Sequence, residues 1–146
     1  MARNYTVSTR ISKPVADVFD AIVSSDELAN YFATGSCDLI EGATVIWHWE
    51  GYGDAPVVVE KVVENELIEL TLDSKEWQKT REESYKVSVT FEFESLDDGG
   101  TMLSISEEGW KIDTDGLKGS HDNCGGWQRM ALSLKVWIEH GIDLRQ

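Results

Sequence analysis

Residues 85–108 read YKVSVTFEFESLDDGGTMLSISEE, and this stretch predicts an antiparallel hairpin. Tyr85–Leu96 alternates apolar with polar side chains, which is the pattern of a strand with one buried face. Asp97–Gly100 contains an Asp-Gly step, which readily adopts the positive φ angles of a tight turn. Thr101–Glu108 is therefore predicted to be the returning strand.

The same alternation extends upstream of the hairpin. It predicts further strands at Tyr5–Ile11, Ala43–Glu50, Ala55–Val63 and Glu66–Leu72. Asp73–Ser84 is polar and charged apart from one tryptophan, so it is predicted to be a loop.

Two short helices are predicted after the first strand. Apolar residues at helical spacing mark the first helix, for which Ser12 is the expected N-cap and Pro14 lies in the first turn. Ser24 and Glu27 have the spacing of a capping box, which predicts the start of the second helix. Gly35 is expected to end it.

One long amphipathic helix is predicted near the C-terminus, from about Ser120 to Glu139. The preceding segment, Gly109–Ser120, contains further glycines and is predicted to be irregular. Gly141 suits the left-handed position that follows the end of a helix.

This order of elements predicts an α+β fold, because the strands and the helices are largely segregated along the chain. The connections between strands are too short for crossover helices, so the sheet should be antiparallel. We expect a single domain over residues 1–146, in which a curved sheet of six or seven strands wraps around the long C-terminal helix. Such a helix-grip arrangement can leave a cavity between the sheet and the helix.

The composition limits the classes of partner. The formal net charge of −14 disfavours nucleic acid and anionic membranes, both of which attract a surplus of Lys and Arg. No apolar run approaches the roughly 18 residues of a membrane span, and the first residues lack the apolar segment of a signal peptide. Cys37 and Cys124 are far apart in the chain and are expected to be reduced. These features predict a cytoplasmic protein.

Four stretches of the chain together carry a resemblance to a known superfamily. They are Lys13-Pro14-Val15-x-x-Val18-Phe19-x-Ala21-Ile22, Leu28-x-x-Tyr31-Phe32, Gly42-x-x-Val45-x-Trp47 leading to Val57–Val63, and Gly126-Trp127 followed by Leu134 and Ile138-Glu139-x-Gly141. Their order and spacing resemble the START-like (SRPBCC, Bet v 1-like) helix-grip domains. Within that superfamily, the chain most resembles the family named after the C-terminal domain of the activator of the heat-shock protein 90 ATPase.

The resemblance implies the fold more strongly than the function, because this fold serves lipid carriers, ligand sensors, cyclases and co-chaperone domains. Our first interpretation is a non-enzymatic binding module, monomeric or dimeric, that holds a small hydrophobic or aromatic ligand and needs no cofactor. Large apolar side chains on the strands and on the long helix are the expected cavity lining: Phe32, Trp47, Trp49, Phe91, Trp110, Trp127, Met130, Ala131 and Leu134.

Two alternative functions remain open from the sequence. The first is a co-chaperone-like domain, for which the acidic surface would suit a basic protein partner. The second is a cyclase- or hydrolase-like enzyme that acts in the cavity. Its candidate residues would be His48, Glu50, His121 and Cys124, but they do not form an evident set of acid, base and nucleophile.

Structural roles are favoured over catalytic or metal-binding roles for these residues. Alternation predicts that His48 and Glu50 lie on the outer face of their strand, opposite the tryptophans. His121 and Cys124 would supply only two of the three or four ligands that zinc needs, so no metal site is predicted. A position near a helix N-terminus would lower the pKa of the Cys124 thiol. Trp77 and Trp110, in or beside loops, would form a gate if exposed and a small satellite cluster if buried.

Overall fold

The computed structural model describes residues 2–78 and 83–145. Within these residues, seven strands and four helices follow one another. They are β1 (Tyr5–Ile11), α1 (Val15–Val23), α2 (Ser25–Leu28), β2 (Thr34–Gly35), β3 (Thr44–Trp49), β4 (Gly53–Val63), β5 (Leu67–Asp73), α3 (Ser74–Trp77), β6 (Lys86–Ser95), β7 (Thr101–Glu108) and α4 (Thr114–His140).

All seven strands form one antiparallel sheet in the order β1-β7-β6-β5-β4-β3-β2. The predicted α+β helix-grip class is therefore confirmed. The β6–β7 hairpin closes at the Ser95–Thr101 pair, and Gly99 has the positive φ of +86° that the Asp-Gly step predicted. A register shift between Val59 and Lys61 interrupts the β4–β5 ladder, and irregularities of this kind bend a sheet.

The core lies between the inner face of the sheet and the helices. Alternate residues of the strands are buried, and α4 contributes Trp127, Ala131 and Leu134 to the same cluster. Two polar contacts also hold α4 to β1: the Lys135 ammonium donates to the Arg10 carbonyl at 2.8 Å, and the Gln128 amide donates to the Thr9 hydroxyl at 3.3 Å.

The long helix begins earlier than the sequence predicts, at Thr114 instead of about Ser120. The Asp113 carboxylate caps it by accepting the Gly116 N–H at 2.7 Å. The glycines that indicated an irregular segment serve close packing instead. A Cβ atom on Gly116 would lie 1.9 Å from the Lys111 carbonyl oxygen, and one on Gly119 would lie 2.6 Å from the Trp110 ring.

Three local predictions were wrong. Pro14 is the N-cap of α1, and no described side chain caps that helix; Ser12 lies two residues before the cap and donates its N–H to the Glu139 carboxylate at 2.9 Å. The predicted loop at 73–84 contains α3, which the Asp73 side chain caps, and residues 79–82 lie outside the described residues. Gly35 belongs to the two-residue strand β2. The capping of α2 by Ser24 is confirmed, since its hydroxyl accepts the Glu27 N–H.

Candidate functional site

A groove of about 690 Å³ opens between α4, the segment after α2, the β3–β4 turn and α3. Six of its fourteen lining residues are aromatic, and most of the others are polar. The aromatic residues are Tyr31, Phe32, Trp49, Tyr52, Trp77 and Trp127; the others are Gln78, Asp122, Asn123, Gly126, Arg129, Met130, Ser133 and Arg145.

The aromatic wall is held together by ring contacts. The Trp77 and Trp127 rings lie 5.4 Å apart between centroids, and Trp49 meets Trp77 edge to face at 5.7 Å. The Trp77 indole N–H donates to the Pro56 carbonyl at 3.1 Å, and the Tyr52 hydroxyl donates to the Trp77 carbonyl. The β3–β4 turn is thus attached to α3, and the wall is positioned without a ligand.

Two adjacent glycines in the middle of α4 lack the packing reason that explains Gly116 and Gly119. A Cβ atom on Gly125 or on Gly126 would meet no heavy atom within 4 Å. Gly126 lines the groove, whereas Gly125 is exposed outside it. The absent side chain at Gly126 leaves room in the groove between Asn123 and Met130, one turn to either side.

Behind this wall lies a buried carboxylate, Glu107, with only 1% of its surface exposed. It accepts the Trp110 indole N–H at 2.7 Å on one oxygen, and the Trp127 indole N–H at 2.8 Å and the Asn123 amide at 3.1 Å on the other. Burial raises the pKa of Glu107, and these hydrogen bonds oppose that shift because they favour the ionised form. The neighbouring Tyr5 hydroxyl is buried too, and burial, followed by the charge of Glu107, raises the pKa of Tyr5.

The neighbouring Tyr5 hydroxyl helps to lower the pKa of Glu107 by interacting with its carboxylate. Asn123 connects Glu107 to the groove. Its amide donates to the carboxylate while its carbonyl oxygen accepts from the Gln78 amide at 2.9 Å. Glu107 therefore orients two groove-lining side chains, Trp127 and Asn123, from behind.

The charged residues of the groove differ in how they are paired. Arg145 makes two 2.9 Å hydrogen bonds to Asp143 and one of 2.8 Å to the Ala29 carbonyl. Asp122 pairs with Lys118 at 2.8 Å. Arg129 is exposed and makes no hydrogen bond or ion pair with any residue that the structure describes.

The nine predicted cavity residues occupy three places. Four of them line the groove: Phe32, Trp49, Trp127 and Met130. Four others lie in the core behind it: Trp47, Phe91, Ala131 and Leu134. Trp110 is buried on the other side of Glu107, against Gly119. Both Trp77 and Trp110 are buried in the main hydrophobic cluster, so they form neither an exposed gate nor a separate satellite cluster.

Sequence reasoning missed several groove residues. Helical spacing from Trp127 could have found Asn123, four residues earlier, and Gly126 and Arg129 on the adjoining face. Tyr52 and Trp77 come from connections whose path the strand pattern does not determine.

The residues considered for catalysis are dispersed, and none of the four lines the groove. His48 is exposed on the outer face of the sheet, as predicted, and its Nδ1 lies 2.7 Å from an Asp54 carboxylate oxygen. Glu50 is exposed too, but it lies in the turn after β3 and not on the strand. His121 is exposed on α4. The position expected for Cys124 was wrong, because α4 begins ten residues before it; burial and the charge of Glu107 raise the pKa of its thiol.

Two negative findings concern the described part of the chain. No group of three or more His, Cys, Asp or Glu side chains there is arranged to hold a metal ion. Likewise, none of the helices in 2–78 and 83–145 is long and apolar enough to cross a membrane.

A family model described as Activator of Hsp90 ATPase homolog 1-like protein matches residues 12–139. The chain belongs to this family. The match runs from Ser12, just after β1, to the last turn of α4, so the Activator of Hsp90 ATPase homolog 1-like region contains every groove-lining residue except Arg145. Among curated proteins, none matches the chain significantly.

Solved structures share this fold along nearly the whole chain. The protein SSP2350 from Staphylococcus saprophyticus is 25% identical, with a TM-score of 0.75 over 97% of this chain and 96% of that chain. The Aha1 dimer from Colwellia psychrerythraea is 21% identical, with a TM-score of 0.74 over 94% and 98%. DynU16, from the dynemicin biosynthetic locus, is 14% identical, with a TM-score of 0.78 over 93% of this chain and 47% of that chain. The last two likenesses concern the fold alone.

Proposed function

We propose that this protein is a non-enzymatic binding module that holds a small hydrophobic or aromatic ligand in the groove between α4 and the aromatic wall. The observation that carries this proposal is the groove itself, whose volume of about 690 Å³ lies within the roughly 300–1,000 Å³ of small-molecule sites. Its cluster of six aromatic side chains, with polar groups beside them, also resembles such sites, which combine aromatic walls with polar groups that orient the ligand.

Gly126 provides a second argument. A glycine inside a helix costs about 1 kcal/mol relative to alanine. No neighbouring atom of the described residues requires a glycine at this position, and its effect is to leave space in the groove beside Trp127. A binding role gives a reason for this cost that packing does not supply.

The rigidity of the wall favours binding further. Trp49, Trp77 and Trp127 are held by one another and by hydrogen bonds to Pro56 and Glu107. A wall that is ordered before binding loses little conformational entropy when a ligand enters.

The test is a fluorescence titration with 9-anthracenemethanol, a neutral aromatic probe that accepts excitation energy from tryptophan. We expect saturable quenching of tryptophan emission in the wild-type protein. Gly126→Leu should abolish the saturable phase, because its side chain fills the groove. Gly125→Leu is the matched control, since it places the same side chain on the same helix outside the groove, and it should bind like the wild type.

Two results would overturn the proposal. One is the absence of saturable quenching, confirmed by native mass spectrometry of the protein from its own host without any bound small molecule. The other is equal binding by the Gly126→Leu and Gly125→Leu variants, which would place the probe elsewhere.

A co-chaperone-like interaction is the second candidate, because the family takes its description from the activator of the heat-shock protein 90 ATPase. Its test is the ATPase rate of the host's heat-shock protein 90 with and without this protein, together with a pull-down. An unchanged rate and no retained chaperone would remove this candidate.

A further inference from the structure

We propose that the ligand of this groove is an aromatic acid, with its ring system against the tryptophans and its carboxylate paired with Arg129. This inference rests on the proposed function and adds the chemical class of the ligand. It starts from the one groove-lining cation that has no partner among the described residues.

The pairing of the other charges makes Arg129 the available binding group. Arg145 already satisfies the Asp143 carboxylate and the Ala29 carbonyl, and Asp122 is neutralised by Lys118. A guanidinium presents donors in a planar fork that matches a carboxylate, and it keeps its charge at every physiological pH. The described groove therefore offers a free positive group to an anion and no free negative group to a cation.

The negative net charge of the protein makes the positive group at Arg129 more distinctive. With a formal net charge of −14, the surface as a whole repels anions. Arg129, which has no ion-pair partner in 2–78 and 83–145, is thus a local positive group on a negatively charged molecule. It would select an anion at this place only.

The geometry of α4 allows one molecule to use both features. Arg129 follows Gly126 by three residues, and side chains at this spacing lie on the same helix face, about 5–6 Å apart. A ring system that fills the space above Gly126 and contacts Trp127 would place a substituent one helical turn away, within reach of the guanidinium. The ligand is therefore expected to carry its carboxylate directly on the ring system or one short link away from it.

The experiment compares 9-anthracenecarboxylate with 9-anthracenemethanol, which have the same ring system and differ in charge. We expect the wild-type protein to bind the carboxylate about tenfold more tightly, as one charge-assisted pair allows. Arg129→Gln should remove this preference and leave the affinity for the alcohol unchanged. Arg3→Gln is the control, because it makes the same change in net charge at Arg3, which pairs with Glu92 away from the groove.

The outcomes separate this inference from the proposed function. Equal affinity for the two probes in the wild type, or a preference that survives Arg129→Gln, would overturn the aromatic-acid inference while binding of the alcohol upholds the groove. A preference lost equally in Arg3→Gln would overturn it also, because only net charge would then matter. Failure of both probes to bind would overturn the proposed function itself.

Discussion

The indole N–H of Trp127 donates to the buried carboxylate of Glu107 at 2.8 Å, so a residue of the groove wall is fixed by a charge in the core. Asn123 is held by the same carboxylate at 3.1 Å. Both are donor groups, and both line the groove. The groove and the core are consequently one hydrogen-bonded unit, and changes at Glu107 should affect both stability and binding.

Glu107→Gln tests this connection through stability. The amide group of glutamine would turn N–H donors towards at least one of the three donors that now face the carboxylate, leaving buried groups unsatisfied. We expect a loss of about 1–3 kcal/mol in the free energy of unfolding at neutral pH, measured by urea denaturation. Glu92→Gln is the control, because Glu92 is half exposed and pairs with Arg3 on the surface; it should change stability by less than about 1 kcal/mol. Equal effects would contradict the role of Glu107.

The pH dependence of stability provides a second test at Glu107. Burial raises its pKa, so the native state keeps a proton at pH values where the unfolded chain has released it. Its contribution is fully present below the unfolded pKa of about 4.3 and is lost as the pH rises through the folded pKa. The stability of the wild type relative to Glu107→Gln should therefore decrease as the pH rises from about 4 towards neutrality.

Glu139 should show the opposite dependence. Partial burial opposes the shift, but the hydrogen bonds from Lys135 and from the Ser12 N–H lower the pKa of Glu139. Its contribution is present above the unfolded pKa and is lost as the pH falls through the folded pKa. The stability of the wild type relative to Glu139→Gln should decrease on acidification. If the stability contributions of Glu107 and Glu139 changed in the same direction with pH, one of the two pKa assignments would be wrong.

The glycines of α4 predict stability changes of opposite sign. Gly126→Ala and Gly125→Ala should each stabilise the protein by about 0.5–1 kcal/mol, because alanine favours the helix and meets no neighbour. Gly119→Ala should instead cost about 1–3 kcal/mol, because its Cβ would overlap the Trp110 ring. Thermal unfolding of the three variants measures these stability changes, and a stability gain for Gly119→Ala would contradict the close packing of Gly119 against Trp110.

Tyr52→Phe examines the attachment of the β3–β4 turn to α3. The substitution keeps the ring in the groove wall and removes the hydroxyl that donates to the Trp77 carbonyl. We expect faster dissociation of 9-anthracenemethanol in stopped-flow measurements, with a stability loss of about 1 kcal/mol. In the control Tyr85→Phe, the hydroxyl that accepts the Lys111 N–H is removed outside the groove. Its dissociation rate should equal that of the wild type.

The sequence predicted the sheet well because strand burial is periodic. In β3, alternation correctly placed Trp47 inside and His48 outside, and the Asp-Gly step correctly placed the β6–β7 turn. The predicted start of α4 was wrong because a glycine can indicate either an irregular segment or close packing within a helix. Gly119 lies in the helix to admit Trp110, whereas a local pattern associates glycine with an irregular segment.

The groove was harder to predict because its wall is assembled from connections. Trp127 and Met130 follow from helical spacing, but Tyr52 and Trp77 meet only after the β3–β4 turn and α3 approach each other. Strand alternation also assigned the same environment to two tryptophans that differ in burial. Trp47 and Trp49 share a strand face, yet Trp47 is wholly buried and Trp49 reaches the groove at the end of β3.

The pairing of β1 with β7 also bears on the order in which the molecule can form during synthesis. Tyr5 lies opposite Glu107, so β1 cannot pair with β7 until more than a hundred residues of the chain have been synthesised. Sequence-distant pairings of this kind slow folding. During synthesis, β1 and the buried carboxylate can therefore meet only after most of the sheet has been made, and the α4 side chains that Glu107 orients in the groove follow later still in the chain.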